Sequence, residues 1–139
     1  MRERWTLMIV AAAILCGGCA ELTHGGSTGQ LRAALENWTT AIEANDADGV
    51  LALFADDFEP PGGQTWEDFE TSLRDRFLLG YFQDAETRLQ AARFREENGV
   101  AEVGPVIVRA AEETRALHLT LERTGPRRSW RITGMRPGL

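Results

Sequence analysis

Five side chains in this sequence are candidates for general acid–base chemistry: Asp56, Asp57, Glu59, Tyr81 and His118. Glu59 directly precedes a Pro-Pro-Gly-Gly segment, and Tyr81 follows a glycine that ends a helical pattern. A carboxyl or phenol group at such an element end can reach a pocket and transfer a proton there. Asp56 and Asp57 are better suited to bond the backbone of the following turn, and His118 alternates away from an apolar strand face. Glu59 and Tyr81 are therefore the catalytic candidates if the protein is an enzyme.

The composition excludes several other chemistries. The chain of 139 residues contains no Lys, since all 15 basic residues are Arg, so Schiff-base catalysis and a phosphate-loop Lys are both impossible. A net charge of −6 argues against nucleic-acid binding, which requires a basic surface. Both cysteines lie near the N-terminus, and the two histidines, His24 and His118, are far apart in the sequence. We therefore expect no metal site and no cofactor.

Residues 1–19 have the organisation of a secretory signal peptide. Two Arg precede an apolar run from Leu7 to Leu15, which is shorter than the ~20 residues that cross a bilayer as a helix. The following Gly-Gly-Cys19 resembles a bacterial lipobox, with Cys16 at the place usually taken by Leu. This resemblance implies a cell-envelope protein anchored in the lipid bilayer by acyl chains on Cys19, on the periplasmic face of the outer membrane in a diderm cell. The alternative is ordinary cleavage after Ala20, which would leave the protein soluble in the periplasm.

Three helices are predicted after a flexible, glycine-rich tether at residues 20–29. The first carries an apolar stripe at helical spacing that includes Trp38. Asp46 can cap a second, shorter helix, which the pattern extends to the double Asp at 56–57. The third begins at Thr65 and ends before a glycine, with Trp66, Phe69, Leu73 and Phe77 as its inward stripe.

From Glu86 onward the hydrophobic period changes from helical to two, which predicts strands. Asn98-Gly99 is a strong hairpin signal, and residues 115–123 alternate cleanly between apolar and polar side chains. Gly125-Pro126 turns the chain into a last strand containing Trp130. The sequence therefore predicts an α+β roll in which three N-terminal helices pack on a curved, four-stranded antiparallel meander.

Three features together resemble the nuclear transport factor 2-like superfamily: the segment from Ala41 to Phe58, the order of helices and strands, and the ending Ser129-Trp-Arg-Ile-Thr-Gly-Met135. Relatives in this superfamily include SnoaL-like polyketide cyclases and ketosteroid isomerases. The resemblance covers a domain at residues 30–136 and implies a cone-shaped roll whose helices and inner sheet face enclose a pocket. Members use that pocket for catalysis or ligand binding, or fill it and form dimers through the outer sheet face, so a homodimer of this kind is possible here.

The catalytic layout of a ketosteroid isomerase is not matched. The positions of its helix Tyr, its Asp base and its buried second Asp correspond here to Trp38, Gly62 and Leu117. The favoured hypothesis is a non-catalytic module that binds an apolar small molecule or a protein partner. The alternative is a SnoaL-like enzyme of isomerase, cyclase or dehydratase type that uses Glu59 or Tyr81 on a hydrophobic substrate. Apolar residues that could line the pocket, or simply form the core, are Trp38, Phe54, Phe58, Trp66, Phe69, Phe77, Leu117 and Leu119.

Overall fold

Three helices come first in the computed structural model, which describes residues 26–138. Helix α1 is Gly26–Glu43, α2 is Ala47–Leu51 and α3 is Trp66–Leu78. The stripe predicted on α1 is buried, because these side chains face the sheet: Leu31, Leu35, Trp38 and Ile42. Helix α1 begins within the segment predicted as a tether, and Cys19 with the rest of the signal lies outside the described residues.

Side-chain caps position the two shorter helices. The Asp46 carboxylate accepts a hydrogen bond from the Gly49 backbone N–H over 3.1 Å, which satisfies one free donor at the start of α2. The Thr65 hydroxyl accepts one from the Asp68 N–H over 3.2 Å at the start of α3. Both caps occupy the positions that the sequence predicts. The helices therefore start where their sequences place them, and α3 follows a short 3₁₀ turn at Pro61–Gly63.

Six strands form one curved, mixed sheet. They are β1 (Phe54–Glu59), β2 (Glu86–Arg88), β3 (Arg93–Glu97), β4 (Val100–Ala110), β5 (Glu113–Thr124) and β6 (Ser129–Gly138). The order across the sheet is β1-β6-β5-β4-β2, with β3 also paired to β4. Strands β3 to β6 form an antiparallel meander, whereas β1 runs parallel to β6. The α+β roll with three helices is confirmed.

The sheet has six strands rather than the predicted four. One additional strand, β1, lies where the sequence pattern extends the second helix. Phe54 and Phe58 are both buried, and side chains four apart share a face in a helix and in a strand alike. Local spacing could not distinguish the two structures. The outcome is decided by pairing with β6, where the Ile132 N–H donates to the Leu53 carbonyl over 2.8 Å.

The hydrophobic core lies between the helices and the inner face of this sheet. Residues that are almost completely buried include Leu119 and Leu121 of β5, Val103 and Val106 of β4, and Ile132 of β6. The alternation predicted for β5 therefore directs its leucines toward the helices. No helix between residues 26 and 138 is both long and apolar enough to cross a membrane.

Candidate ligand-binding site

A cavity of about 160 Å³ remains between the helices and the inner sheet face. Helices α1 to α3 contribute part of its wall, and strands β1, β4, β5 and β6 contribute much of the rest. The lining is largely apolar: Trp38, Ile42, Val50, Phe54, Phe69, Leu73, Phe77, Phe82, Val108, Ala110, Leu117 and Met135, together with Arg76, Tyr81, Glu113 and Arg115. Such a lining suits a small hydrophobic molecule.

The buried end of the cavity is rigidly built. The Trp38 indole N–H donates to the Val50 carbonyl over 3.1 Å, which fixes the ring and satisfies its polar group. The Phe54 ring stands edge-on to Trp38 at 6.3 Å between centroids, and Phe69 stands edge-on to Phe54 at 5.3 Å. Because these side chains hold one another in place, the cavity has a preformed wall.

Charged residues mark the other end, which opens to solvent. Arg76, Glu113 and Arg115 are the charged side chains of the lining, and all three are exposed. Tyr81, which is half-buried, donates its hydroxyl to Oε2 of Glu113 over 3.0 Å. Nη2 of Arg115 donates to the same oxygen over 3.2 Å. The guanidinium carbon of Arg76 lies 5.4 Å from the Tyr81 ring centroid, so these four residues form one cluster, which we call the mouth cluster.

Electrostatics keep the mouth carboxylate ionised. The hydrogen bond from Tyr81, and then the hydrogen bond and positive charge of Arg115, lower the pKa of Glu113 below its ordinary value. A group with a lowered pKa holds a proton poorly at neutral pH. Glu113 is thus suited to accept hydrogen bonds and to orient Tyr81 and Arg115, and it is poorly suited to act as a general acid.

Six of the residues singled out from the sequence come together here. The cavity is lined by Tyr81 and by the aromatic and aliphatic side chains of Trp38, Phe54, Phe69, Phe77 and Leu117. Helical or alternating spacing indicates the inward direction of the five apolar side chains, and Tyr81 is indicated by its place just after the glycine that ends the helical pattern. What the pattern could not provide is the space between them, which depends on how closely the elements pack.

The other predicted pocket residues lie in the packed core or, for the partly buried Trp66, against it. Phe58 is in contact with Phe54 and Phe69, at centroid distances of 4.6 and 5.1 Å. Trp66 packs edge-on against Phe58 at 6.1 Å, and Leu119 is 1% exposed in the middle of the sheet. None of the three lines the cavity. Phe58 and Trp66 therefore pack against Phe54 and Phe69, which line the cavity.

Glu59, the other catalytic candidate, is separated from the cavity. It is the last residue of β1, is exposed, and does not line the cavity. Along β1 the buried side chains are those of Phe54, Ala55 and Phe58, so the strand directs Glu59 to solvent. Only Tyr81 of the two candidates lies at the cavity.

Sequence reasoning missed the charged partners of Tyr81. Glu113 and Arg115 precede Leu117 in β5, and period-two alternation places all three on the inner face. That signal was available, but neither residue is apolar and both lie next to a turn, where exposed charges are common. Arg76 is the residue before buried Phe77 in α3. Its position at the cavity depends on how α3 packs beside β5, which the local sequence does not indicate.

His118 lies on the opposite face of the sheet. Its imidazole occupies the space above two glycines, since a Cβ atom at Gly104 or Gly138 would come within 2.3 or 2.5 Å of the ring. The ring is therefore remote from the mouth cluster. Within residues 26–138 no three His, Cys, Asp or Glu side chains are grouped in a way that could hold a metal ion.

Solved structures with the same fold come from several bacteria. Pgp2, a helical cell shape determining protein of Campylobacter jejuni, has a TM-score of 0.64 at 14% identity, over 76% of this chain and 39% of Pgp2. A Nostoc punctiforme protein of unknown function with a cystatin-like fold has a TM-score of 0.60 at 12% identity, over 79% and 88% of the two chains. A proposed ketosteroid isomerase of Shewanella frigidimarina has a TM-score of 0.59 at 13% identity, over 76% and 91%.

These similarities establish the fold of the chain. It is a cystatin-like fold, an α+β roll of the kind that the sequence resemblance predicts. The chain spans about two fifths of the length of Pgp2 and most of the length of the other two proteins. No protein-family model and no curated protein sequence matches it.

Proposed function

We propose that this protein is an envelope lipoprotein whose cavity binds a small apolar molecule without transforming it. The observation that carries this proposal is the cavity itself, which combines an apolar, preformed wall with a charged mouth. Binding sites for small molecules have this composition, with a few polar groups that orient the ligand. A core that had evolved only for stability would gain from filling the same space.

The size of the cavity limits the ligand. At about 160 Å³ it is smaller than the ~300–1,000 Å³ of typical drug-sized sites. It is close to the ~150 Å³ of an engineered apolar cavity, in another protein, that holds benzene. We therefore expect the buried part of the ligand to be about one ring or a short branched chain.

Two observations favour binding over catalysis. The carboxylate nearest to the cavity, Glu113, has a lowered pKa and is already engaged by Tyr81 and Arg115. An effective general base has a pKa near the working pH, and a general acid must hold a proton there. Glu59 is exposed and separate from the cavity. These residues do not form an acid–base pair directed at a bound molecule.

The alternative function is a SnoaL-like enzyme of isomerase, cyclase or dehydratase type. It is favoured by one contact, the hydrogen bond of 3.0 Å between the Tyr81 hydroxyl and Glu113 at the cavity mouth. In that case Glu113 would hold the Tyr81 hydroxyl in the free site, and Tyr81 would donate its proton to the substrate once that hydrogen bond is released. An enzyme of this type would convert a captured ligand to a different compound, of equal mass for an isomerisation and lighter by one water for a dehydration, and Tyr81→Phe would prevent this conversion.

The envelope address rests on the N-terminal sequence. Acylation of Cys19 would add more than one acyl chain, and each buried methylene contributes ~0.8 kcal/mol, which is enough for stable anchoring. Expression in a diderm bacterium should therefore bring the wild-type protein to the outer-membrane fraction with the mass of an acylated chain. Cys19→Ala should move it to the soluble periplasmic fraction. Equal fractionation of both proteins would contradict the anchor.

Native mass spectrometry tests the binding function. The full chain carrying Cys19→Ala, produced in the periplasm, is expected to carry a stoichiometric adduct that dissociates on denaturation. Titration with ethylbenzene or indole should then show one saturable site by calorimetry. A clean protein mass, together with no binding of either probe, would refute the proposal. A ligand-free dimer would instead favour protein interaction, with the outer sheet face as the first surface to mutate.

A further inference from the structure

We propose that the ligand carries a carboxylate, which Arg76 and Arg115 hold at the mouth while the apolar body fills the cavity. This inference rests on the proposed binding function and names the class of ligand that the site selects. The ligand class is a compact apolar body, aromatic or aliphatic, with one acidic group at its end.

The charge balance of the mouth favours an anion. Two guanidinium groups and one carboxylate line the cavity, so the mouth has an excess of one positive charge. Glu113 forms an ion pair with Arg115 at 3.2 Å. Within residues 26–138, Arg76 takes part in no ion pair within 4.0 Å; its guanidinium contacts the Tyr81 ring, and its charge acts on Glu113 from a longer distance. One guanidinium at the mouth is thus available to a ligand carboxylate.

Glu113 shows how a carboxylate fits this mouth. The Tyr81 hydroxyl and the Arg115 guanidinium both donate to the same oxygen, Oε2, at 3.0 and 3.2 Å. These two donors therefore converge on the position that a carboxylate oxygen occupies. The Glu113 side chain is 57% exposed, so it can turn toward solvent and release both donors. A ligand carboxylate can take its place with no net loss of hydrogen bonds, and there it can also pair directly with Arg76, whose charge reaches Glu113 only over a longer distance.

A cationic head group fits the same mouth poorly. It would meet the carboxylate of Glu113, which is already paired, and it would be repelled by Arg76 and Arg115. The two possibilities make opposite predictions for the Glu113→Gln variant. Removing this carboxylate would strengthen binding of an acid by removing its competitor, and would weaken binding of an amine by removing its partner.

Three probes with one common body test the proposal: 3-phenylpropanoate, 3-phenylpropanamide and 3-phenylpropylamine. Their dissociation constants are measured by calorimetry at neutral pH and low salt, on the full chain carrying Cys19→Ala. We expect the acid to bind about tenfold more tightly than the amide, as two exposed ion pairs can provide. The amine should bind more weakly than the amide. The difference between acid and amide should shrink at high salt, because exposed charges are screened.

Single variants of the mouth cluster test which of its residues cause the preference for the acid over the amide. Arg76→Gln and Arg115→Gln should each reduce the preference for acid over amide about threefold, and Glu113→Gln should increase it by a similar factor. The matched control is Arg74→Gln, in the same helix. Arg74 pairs with Asp48 at 2.8 Å and with Glu70 at 3.3 Å and does not line the cavity, so this variant should keep the wild-type preference.

The outcomes separate this inference from the proposed function. Equal binding of acid and amide would overturn the carboxylate inference while leaving the apolar site intact. Tightest binding of the amine, lost in Glu113→Gln, would overturn it in favour of a cationic ligand. Failure of all three probes, and of ethylbenzene, would overturn both proposals. A preference for the acid that Arg74→Gln reduces as much as Arg76→Gln would show a general charge effect and would also overturn the assignment.

Discussion

Filling the cavity from its wall should stabilise this protein and abolish ligand binding. Ala110, at the end of β4, is 5% exposed and lines the cavity. The cavity of about 160 Å³ leaves room beside Ala110 for a larger side chain. In Ala110→Leu, about three further carbon atoms would gain ~2.4 kcal/mol, less ~0.5–1 kcal/mol for lost side-chain freedom. We therefore expect the free energy of unfolding to rise by about 1.5 kcal/mol.

A second alanine in the same strand provides the control. Ala101 is completely buried but lies outside the cavity lining. Ala101→Leu inserts the same carbon atoms into close-packed core, which typically costs ~1–3 kcal/mol because neighbours must shift. The same substitution at two buried positions of β4 is thus expected to have opposite effects on stability.

Urea unfolding followed by circular dichroism measures both variants, with an unchanged m-value as the sign that only stability has changed. Calorimetry with ethylbenzene on the same samples should show binding to Ala101→Leu, where it remains folded, and none to Ala110→Leu. The reasoning is refuted if both variants lose the same stability, or if Ala110→Leu binds the probe as tightly as the wild type.

Three further predictions concern the packing of α3, the ionisation of Glu113 and the cap of α2. Phe77→Ala should lower the free energy of unfolding by ~3 kcal/mol, because Phe77 is 5% exposed, whereas Leu78→Ala, at 84% exposure, should change it by less than ~0.5 kcal/mol in the same urea assay. Similar losses in the two would show that α3 packs differently. Since the pKa of Glu113 is lowered from 4.5, its ionised form stabilises the fold above the unfolded-state pKa, and this contribution disappears as the pH falls through the lower folded-state pKa. The stability difference between wild type and Glu113→Gln should therefore be present at neutral pH, decrease as the pH falls below 4.5 and vanish below the folded-state pKa, and a difference independent of pH would argue against the Tyr81 and Arg115 contacts. Asp46→Ala should cost ~1 kcal/mol in thermal unfolding by removing the cap of α2, with Asp46→Asn as a variant that keeps the cap; equal losses would exclude capping as the cause.

Most of the helical structure and the antiparallel meander could be predicted from local patterns. The α1 stripe and the Asp46 and Thr65 caps are local signals, because a helix face and a helix start depend on residues within one or two turns. Strand β5 alternates strictly, so its inner face was also evident. Strand β1 could not be predicted in this way. Its Phe54 and Phe58 satisfy both periodicities, and only parallel pairing with β6 makes it a strand.

The same distinction between local and long-range signals applies to the candidate site. Its apolar wall could be predicted because the spacing of each residue, such as Trp38 or Leu117, indicates that the side chain faces inward. Phe58 and Leu119 have the same signature and fill the core, because spacing carries no information on whether facing side chains touch. The position of Glu59 before a turn predicts a catalytic role, whereas the strand that contains it directs it to solvent.

The sequence by itself predicted the α+β fold class, excluded lysine chemistry and predicted an envelope address, because periodicity, composition and N-terminal motifs are properties of neighbouring residues. The tertiary structure alone decided that a space remains inside the roll and that its mouth is charged. Arg76 comes from α3, and Tyr81, Glu113 and Arg115 come from a loop and from β5, so their contacts exist only when the helix packs across the sheet. The size of a cavity and the net charge at its mouth both depend on how elements distant in the chain pack together. No local sequence pattern could therefore predict them.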